Sequence, residues 1–234
     1  MKKRESFNSR WGFILACIGS AVGMGNIWMF PARVSLYGGG SFLIPYFIFV
    51  ALIGFTGVIG EMSFGRGTRS GPIDAFGMAC ETRGKRKIGE TLGWIPVIGA
   101  LAMAIGYTVV MGWIFRYMIG TFTGSTLAPA DIESFGSRFG SMASAWGNNL
   151  WQLSALVICM FILMYGVGSG IEKANKVMMP IFFVLFVILG IYVAFQPGAA
   201  GGYRYIFRVE PKVLAKPSTW IFALGQAFFS LSVA

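Results

Sequence analysis

Long apolar segments are the feature that most restricts what this chain can fold into. Several run for 18 or more residues without a charged side chain, long enough for a helix to cross a hydrocarbon core of about 30 Å. Lipid offers the backbone no hydrogen-bond partners, so an open chain can cross it only as helix. The sequence therefore predicts an all-α, polytopic membrane protein with a single transmembrane domain, 1–234. The predicted spans cover residues 11–36, 41–66, 91–119, 148–168, 176–196 and 218–234.

The composition excludes several other classes of protein. Charged residues make up 12% and the mean hydropathy is +0.69, whereas soluble domains carry about 25% charged residues. Histidine is absent, and Cys17, Cys80 and Cys159 are too widely spaced to indicate a zinc cluster or a disulfide framework. No nucleophile and base pair is visible, so an enzyme is not expected.

The basic residues predict orientation in the bilayer rather than nucleic-acid binding. The net charge is +10, but Lys and Arg lie in the short segments between spans, twelve on the amino-terminal side against five on the other. This asymmetry predicts a plasma (inner) membrane protein with a cytoplasmic amino terminus.

The basic residues at the amino terminus resemble the start of a signal peptide. The apolar stretch that follows is too long and lacks a small-residue cleavage site, so we expect a retained first span. The last segment stops at Ala234 without a polar flank, and we expect a span that is cut short.

The first span contains glycines where it should be most apolar. Gly23 and Gly25 weaken the helix near 22–25, and we predict a break there. The first half of a broken helix offers carbonyl oxygens to a cation, and the second half offers amides and a positive dipole end to an anion. Sodium and a carboxylate fit these two ends. Alternatively, Gly19 and Gly23 form a G-x-x-x-G motif that only allows close helix packing.

Polar residues elsewhere in the spans are further candidates. Glu61 lies deep in an apolar span. Its carboxylate either accepts hydrogen bonds from the free backbone amides of a neighbouring broken helix or transfers a proton. Tyr107, at mid-depth, is either a packing group or needs a partner for its hydroxyl. Gln226, Ser230 and Ser232 suit a mixed pocket, although serine hydroxyls also bond back to their own helix.

Together these stretches resemble the bacterial branch of the neurotransmitter:sodium symporter family. The similarity is carried by RE at 4–5, RWGFILA at 10–16, GSAVGMGNIW at 19–28, FP at 30–31, GGGSFLIPY at 38–46, Glu61 with Gly65 and Arg66, GSGIEK at 168–173 and GQAFFSLS at 225–232. The resemblance implies a LeuT-like fold, with the first inverted-repeat unit, helices 1–5, and the start of helix 6. It also implies sodium-coupled symport of an amino acid or a related small zwitterion by alternating access, for which this chain alone is not expected to suffice.

The resemblance assigns roles to particular residues. Two sodium sites, both incomplete in this chain, would use Gly19, Ala21, Val22, Asn26 and Ser230. The substrate would lie against Val22, Met24, Gly25, Tyr107, Phe229, Ser230 and Ser232. Structural and gating roles would fall to Arg4, Arg33, Glu61 and Gln226. Because the ion would touch the substrate, each would raise the affinity for the other.

The sequence also departs from the family pattern. Met29 stands where relatives usually have an outer-gate arginine, with Arg33 one turn further on, and Ala234 stands where many have glycine. The Met29 departure keeps open a non-transporting amino-acid receptor or sensor with the same site, and a channel-like or purely structural bundle is a third alternative. The lipid bilayer is an expected partner and a homodimer a further one; nucleic acid is not expected. Substrate identity and chloride dependence stay open.

Overall fold

The fold is described from a computed structural model that covers residues 7–23, 25–127 and 131–232. The predictions made for Arg4, Met24 and Ala234 fall outside these residues. Within them, every regular element is helical. The first half comprises α1 (Arg10–Ala21), α2 (Phe30–Leu36), α3 (Gly40–Ile53), α4 (Ile59–Thr68), α5 (Pro72–Glu81) and α6 (Arg86–Phe122). The second half comprises α7 (Ile132–Met142), α8 (Asn149–Met164), α9 (Glu172–Ala194), α10 (Ala199–Phe207), α11 (Pro211–Leu214) and α12 (Pro217–Leu231).

Short π-helical turns join some of these helices into longer spans. Gly54–Val58 joins α3 to α4, and Val167–Ile171 precedes α9. Among the described residues, three helices are long and apolar enough to cross a membrane: Gly40–Thr68, Arg86–Phe122 and Val167–Ala194. The bent pair formed by α1 and Gly25–Leu36 makes a fourth if it is counted as one span. Where the sequence predicted spans over 148–168 and 218–234, the structure has the shorter helices α8 and α12.

The fifth predicted span starts earlier in the structure than the sequence suggested. The sequence predicts a span over 176–196, whereas the helical segment begins at Val167. The difference arises because Glu172 is buried, only 1% exposed, and paired with Lys176. A carboxylate that is neutralised and hydrogen-bonded does not have to leave the helix for water.

The first span begins as a regular helix and then breaks. Ser9 caps α1 by accepting a hydrogen bond from the amide of Gly12 at 3.0 Å. After Ala21 the chain leaves the α-helix, and the π-turn Gly25–Met29 leads into α2 at an angle of 51° to α1. The structure therefore has an interruption inside the first apolar segment.

Four pairs of helices form the main contacts. The helix α1 packs on α9, α12 packs on α3, and α6 packs on both α5 and α8. The buried core lies where α2, α3 and α12 meet, around Val34, Phe42 and Ala223. Most of α9 is apolar but exposed, for example Ile181 at 62%, as expected for a surface that faces lipid or further helices. The packing brings the end of α12 beside the break in the first span.

Candidate functional site

The break changes the pattern of backbone hydrogen bonds at the end of α1. The amide of Gly23 donates to the carbonyl oxygen of Ala21 at 3.0 Å, and the amide of Asn26 donates to that of Gly23 at 3.0 Å. The side chain of Asn26 reaches back and donates through Nδ2 to Ala21 at 2.7 Å. The Asn26 side chain therefore supports the interrupted backbone and leaves its own Oδ1 directed elsewhere.

The end of α12 supplies hydroxyl and amide groups to the same place. Ser230 donates to Oδ1 of Asn26, and Gln226 donates through Nε2 to the Ser230 hydroxyl at 3.3 Å. Ser232, at the left-handed end of α12, donates to the carbonyl oxygen of Ser20 at 2.8 Å. The two elements, distant in sequence, are thus joined by neutral polar contacts.

One polar atom of this cluster has no partner. Gln226 is 0% exposed, and its Oε1 makes no hydrogen bond among the described residues. A buried acceptor left unsatisfied is unfavourable by about 1–3 kcal/mol. Together with the hydroxyl of Ser230 and the carbonyl of Ala21, this makes a set of neutral oxygen donors. Such oxygens suit a hard cation, and the described residues contain no group of three or more Asp, Glu, His or Cys side chains that would favour another metal.

An apolar cavity of about 310 Å³ lies next to this polar cluster. It is lined by Gly25, Trp28, Met29, Met103, Gly106, Tyr107, Val110 and Phe229. The rings of Tyr107 and Phe229 stack with their centroids 6.4 Å apart. A Cβ on Gly25 would overlap the Phe229 ring, so glycine is what allows this approach. The cavity therefore combines apolar walls with a backbone that can be reached closely.

The glycines of the first span face different helices. A Cβ on Gly19 would overlap the side-chain oxygen of Asn175 on α9, whereas one on Gly23 would lie 3.2 Å from the Tyr107 hydroxyl on α6. Gly19 thus allows close packing of α1 on α9, as the G-x-x-x-G alternative supposed for it. Gly23 belongs to the cavity side instead. The two glycines do not form one packing stripe.

The remaining candidate residues lie in varied places. Val22 is half-buried at the end of α1, where its amide donates to Ile18 at 2.8 Å. Arg33 donates to the carbonyl oxygen of Phe222 at 3.1 Å and stands 5.4 Å from the centre of that ring, so it links α2 to α12. Glu61 is exposed and makes no hydrogen bond or ion pair with the described residues; it lines a separate cleft beside α5 and α6. The structure does not bring Glu61 to the amides of the first span.

Glu172 is a residue that the sequence reading did not select. Its carboxylate accepts hydrogen bonds from the amide of Asn8 at 2.6 Å, the hydroxyl of Ser9 at 2.8 Å and Nζ of Lys176 at 2.6 Å. A Cβ on Gly12 would overlap this side chain. Glu172 therefore ties the start of α1 to α9. The signal in the sequence is that Glu172 is the one acidic residue of GSGIEK, a segment that resembles the symporter family.

Comparison with known sequences finds a matching family and several related transporters. The chain matches the model of the sodium:neurotransmitter symporter family over residues 4–135 and 132–234. It is 34% identical over 233 residues to an uncharacterised sodium-dependent transporter, YhdH, of Bacillus subtilis, covering 99% of this chain and 50% of the relative. It is 30% identical over 258 residues to the sodium-dependent neutral amino acid transporter B(0)AT3 of Mus musculus, covering 99% of this chain and 41% of that protein.

A solved structure resembles the fold over nearly the whole chain. The crystal structure of MhsT in complex with L-phenylalanine superposes with a TM-score of 0.80 at 35% sequence identity, covering 98% of this chain and 51% of that one. The chain thus spans about half the length of the relatives that it matches.

Proposed function

Because the chain belongs to the sodium:neurotransmitter symporter family, we propose that it supplies the broken first helix and part of the binding site of a sodium-coupled amino-acid symporter. Membership confirms the predicted family, the all-α LeuT-like fold and the absence of enzymatic function, since the matched relatives are transporters. The protein is a multi-pass membrane protein. The observation that carries the proposal is the interruption between α1 and α2 with the end of α12 beside it.

Sodium is the proposed co-substrate. The carbonyl of Ala21 and the side-chain oxygens of Asn26 and Ser230 are neutral, close together and half-buried or buried, which suits an ion that takes oxygen ligands. The unpartnered Oε1 of Gln226 lies next to this group. Carbonyls of Gly19 and Val22 are proposed for a second ion, and both sites would need further ligands.

The proposed substrate is a neutral amino acid with an apolar side chain. The cavity between the first span, α6 and α12 is nearly all apolar, and no charged residue is among those that line it. The positive dipole end at Gly25 and the hydroxyl of Tyr107 would receive the carboxylate. MhsT was crystallised with L-phenylalanine, and B(0)AT3 is described as a neutral amino acid transporter; both agree with this choice. An ion in contact with the carboxylate would couple the two affinities.

A receptor or sensor with the same site is the second candidate function. Met29 occupies the usual position of the outer-gate arginine and lines the cavity, while Arg33 is engaged with α12. Without the usual gate arginine, such a site could bind the amino acid and not carry it across the membrane. The orientation with a cytoplasmic amino terminus in the plasma membrane belongs to either candidate.

Uptake into proteoliposomes separates these functions. The complete gene product is reconstituted, and entry of radiolabelled L-phenylalanine and L-leucine is followed with an inward sodium gradient or with sodium replaced by a large organic cation. A symporter accumulates label only with the sodium gradient. Saturable binding without flux would favour the receptor, and neither binding nor flux for any neutral amino acid would contradict the proposed function.

A further inference from the structure

A second cavity, away from the break, carries positive charge. It has a volume of about 310 Å³ and lies between the end of α6, the 3-10 turn Ser125–Leu127 and α7. Arg116 comes from α6 and Arg138 from α7, and both side chains line it. No acidic residue is among its lining residues. Two guanidinium groups therefore share one concave surface.

Each guanidinium is held by a single backbone carbonyl. Arg116 donates through Nη1 to Gly147 at 2.8 Å, and Arg138 donates through Nη1 to Ser125 at 2.6 Å. Neither arginine forms an ion pair within the described part of the chain. A guanidinium has five N–H donors, so most donors of each remain available. The charges are positioned but not neutralised.

The acidic residues nearest in sequence to Arg138 do not neutralise the two arginines. Asp131 and Glu133 are exposed at the start of α7, and Asp131 instead accepts the amide of Ser134 at 2.7 Å as the helix cap. Hydrogen bonds from Ser134 lower the pKa of Asp131, so it is committed to that cap as a carboxylate. The cavity is left with a net positive lining.

We propose that this cavity binds a phosphate group through Arg116 and Arg138. Two guanidinium forks match a tetrahedral oxyanion by paired hydrogen bonds, and the volume far exceeds what a halide ion needs. Phe135 and the buried Met142 form apolar walls for the remainder of the ligand. The arginine cavity shares no lining residue with the proposed substrate cavity, so this proposal does not rest on the transport site.

The phosphate group has two sources, a soluble ion or a phospholipid head. An apolar groove of about 290 Å³, lined in part by Trp113, Ile114 and Phe139, shares Tyr117 with the arginine cavity. The groove offers room for an acyl chain, and it also contacts Trp28 and Val110, which line the proposed substrate cavity. The two sources share one chemistry at the arginines, and different probes distinguish them.

Isothermal titration calorimetry tests the site in dodecyl maltoside, a detergent that contains no phosphate. The protein is titrated with inorganic phosphate and, separately, with dioctanoyl phosphatidylglycerol below its critical micelle concentration. We expect saturable one-to-one binding of at least one probe. Inorganic phosphate alone would identify a soluble ligand, and the lipid alone would identify a headgroup. No binding of either probe overturns the proposal.

Matched variants decide whether the arginines are responsible. Arg138→Gln should weaken binding by about tenfold or more, since it removes a charged donor. Arg204→Gln removes the same charge from an exposed position on α10 and should leave affinity unchanged. Arg138→Lys keeps the charge without the fork and should give an intermediate affinity, which guards against a folding defect in the glutamine variant. Equal weakening by Arg138→Gln and Arg204→Gln would mean a diffuse basic surface and would overturn the proposal.

Discussion

The first span is held at two places whose chemistry differs. At its start, the carboxylate of Glu172 is 1% exposed and accepts hydrogen bonds from Asn8, Ser9 and Lys176. At its break, the neutral side chains of Asn26 and Ser230 meet beside Gln226, which keeps an unpartnered buried oxygen. The first contact is charged and satisfied. The second is neutral and incomplete.

This difference separates anchoring from binding. A buried carboxylate whose oxygens are already hydrogen-bonded has few acceptor positions left for a ligand. Removing one of its partners leaves an uncompensated charge. A neutral cluster with a spare acceptor can gain a cation without first losing an ion pair. The same helix is therefore fixed at one end and available for ligands near its middle.

The largest expected effect comes from filling the break. Gly25→Leu places a side chain where a Cβ already overlaps the Phe229 ring, so binding of a neutral amino acid should be lost while membrane insertion is retained. Scintillation proximity binding measures the first quantity and yield in the membrane fraction the second. The matched control is Gly99→Leu, because nothing lies within 4 Å of a Cβ at Gly99. Normal binding by the Gly25 variant would place the substrate elsewhere.

A smaller effect is expected from the neutral cluster itself. Ser230→Ala removes the hydroxyl that contacts Asn26 and should raise the sodium concentration for half-maximal amino-acid binding by about tenfold. Ser230→Thr should keep sodium affinity close to that of the original protein. Ser154→Ala serves as control, since the Ser154 hydroxyl only bonds back within α8. Equal sodium dependence in the Ala and Thr variants would show that the Ser230 hydroxyl does not bind the ion.

Changing the contact between Glu172 and the start of α1, the anchor of the first span, should alter stability rather than amino-acid affinity. Glu172→Gln leaves Lys176 without its counter-charge, so the thermal unfolding midpoint should fall by several degrees. Amino-acid affinity of the folded protein should change by no more than about threefold, because the anchor is separate from the site. Glu133→Gln, at an exposed position of α7, should leave the midpoint unchanged. A large loss of affinity with an unaltered midpoint would reverse the contrast between the two contacts.

The smallest effect is expected where α2 meets α12. Arg33→Gln removes the cation over the Phe222 ring and the charged donor to its carbonyl. Since a half-exposed cation–π contact contributes about 0.5–1 kcal/mol, amino-acid dissociation should accelerate about twofold to fivefold. Stopped-flow release of a fluorescent or displaced ligand measures this rate. An unchanged rate would show that Arg33 does not help to close the site.

The sequence predicts what depends on local pattern and misses what depends on distant pairing. The length of the apolar segments predicts membrane helices, the charge asymmetry predicts their orientation, and Gly23 and Gly25 predict the break from the local sequence. The contact between Asn8 and Glu172 joins residues separated by 164 positions, which no periodicity reports. For the same reason, the predicted spans 148–168 and 176–196 leave Glu172 outside the membrane helices.

The candidate site shows the same limit. The sequence selected Tyr107, Phe229 and Ser230 through their polarity or through family resemblance, but it could not say that Gly19 faces α9 while Gly23 faces α6. The juxtaposition of Arg116 and Arg138 is likewise a product of how α6 and α7 fold together. Orientation around a helix axis needs the partner helix, and one sequence does not supply it.

Equilibrium binding in two salts tests the central claim most directly, that the broken first span holds sodium and an amino acid together. Affinity for a radiolabelled neutral amino acid is measured on the purified complete gene product in sodium chloride and in the chloride salt of a large organic cation at equal ionic strength. Binding should be at least about fivefold tighter in sodium, which is the lower range of typical coupling between two sites. Equal affinity in the two salts would contradict it.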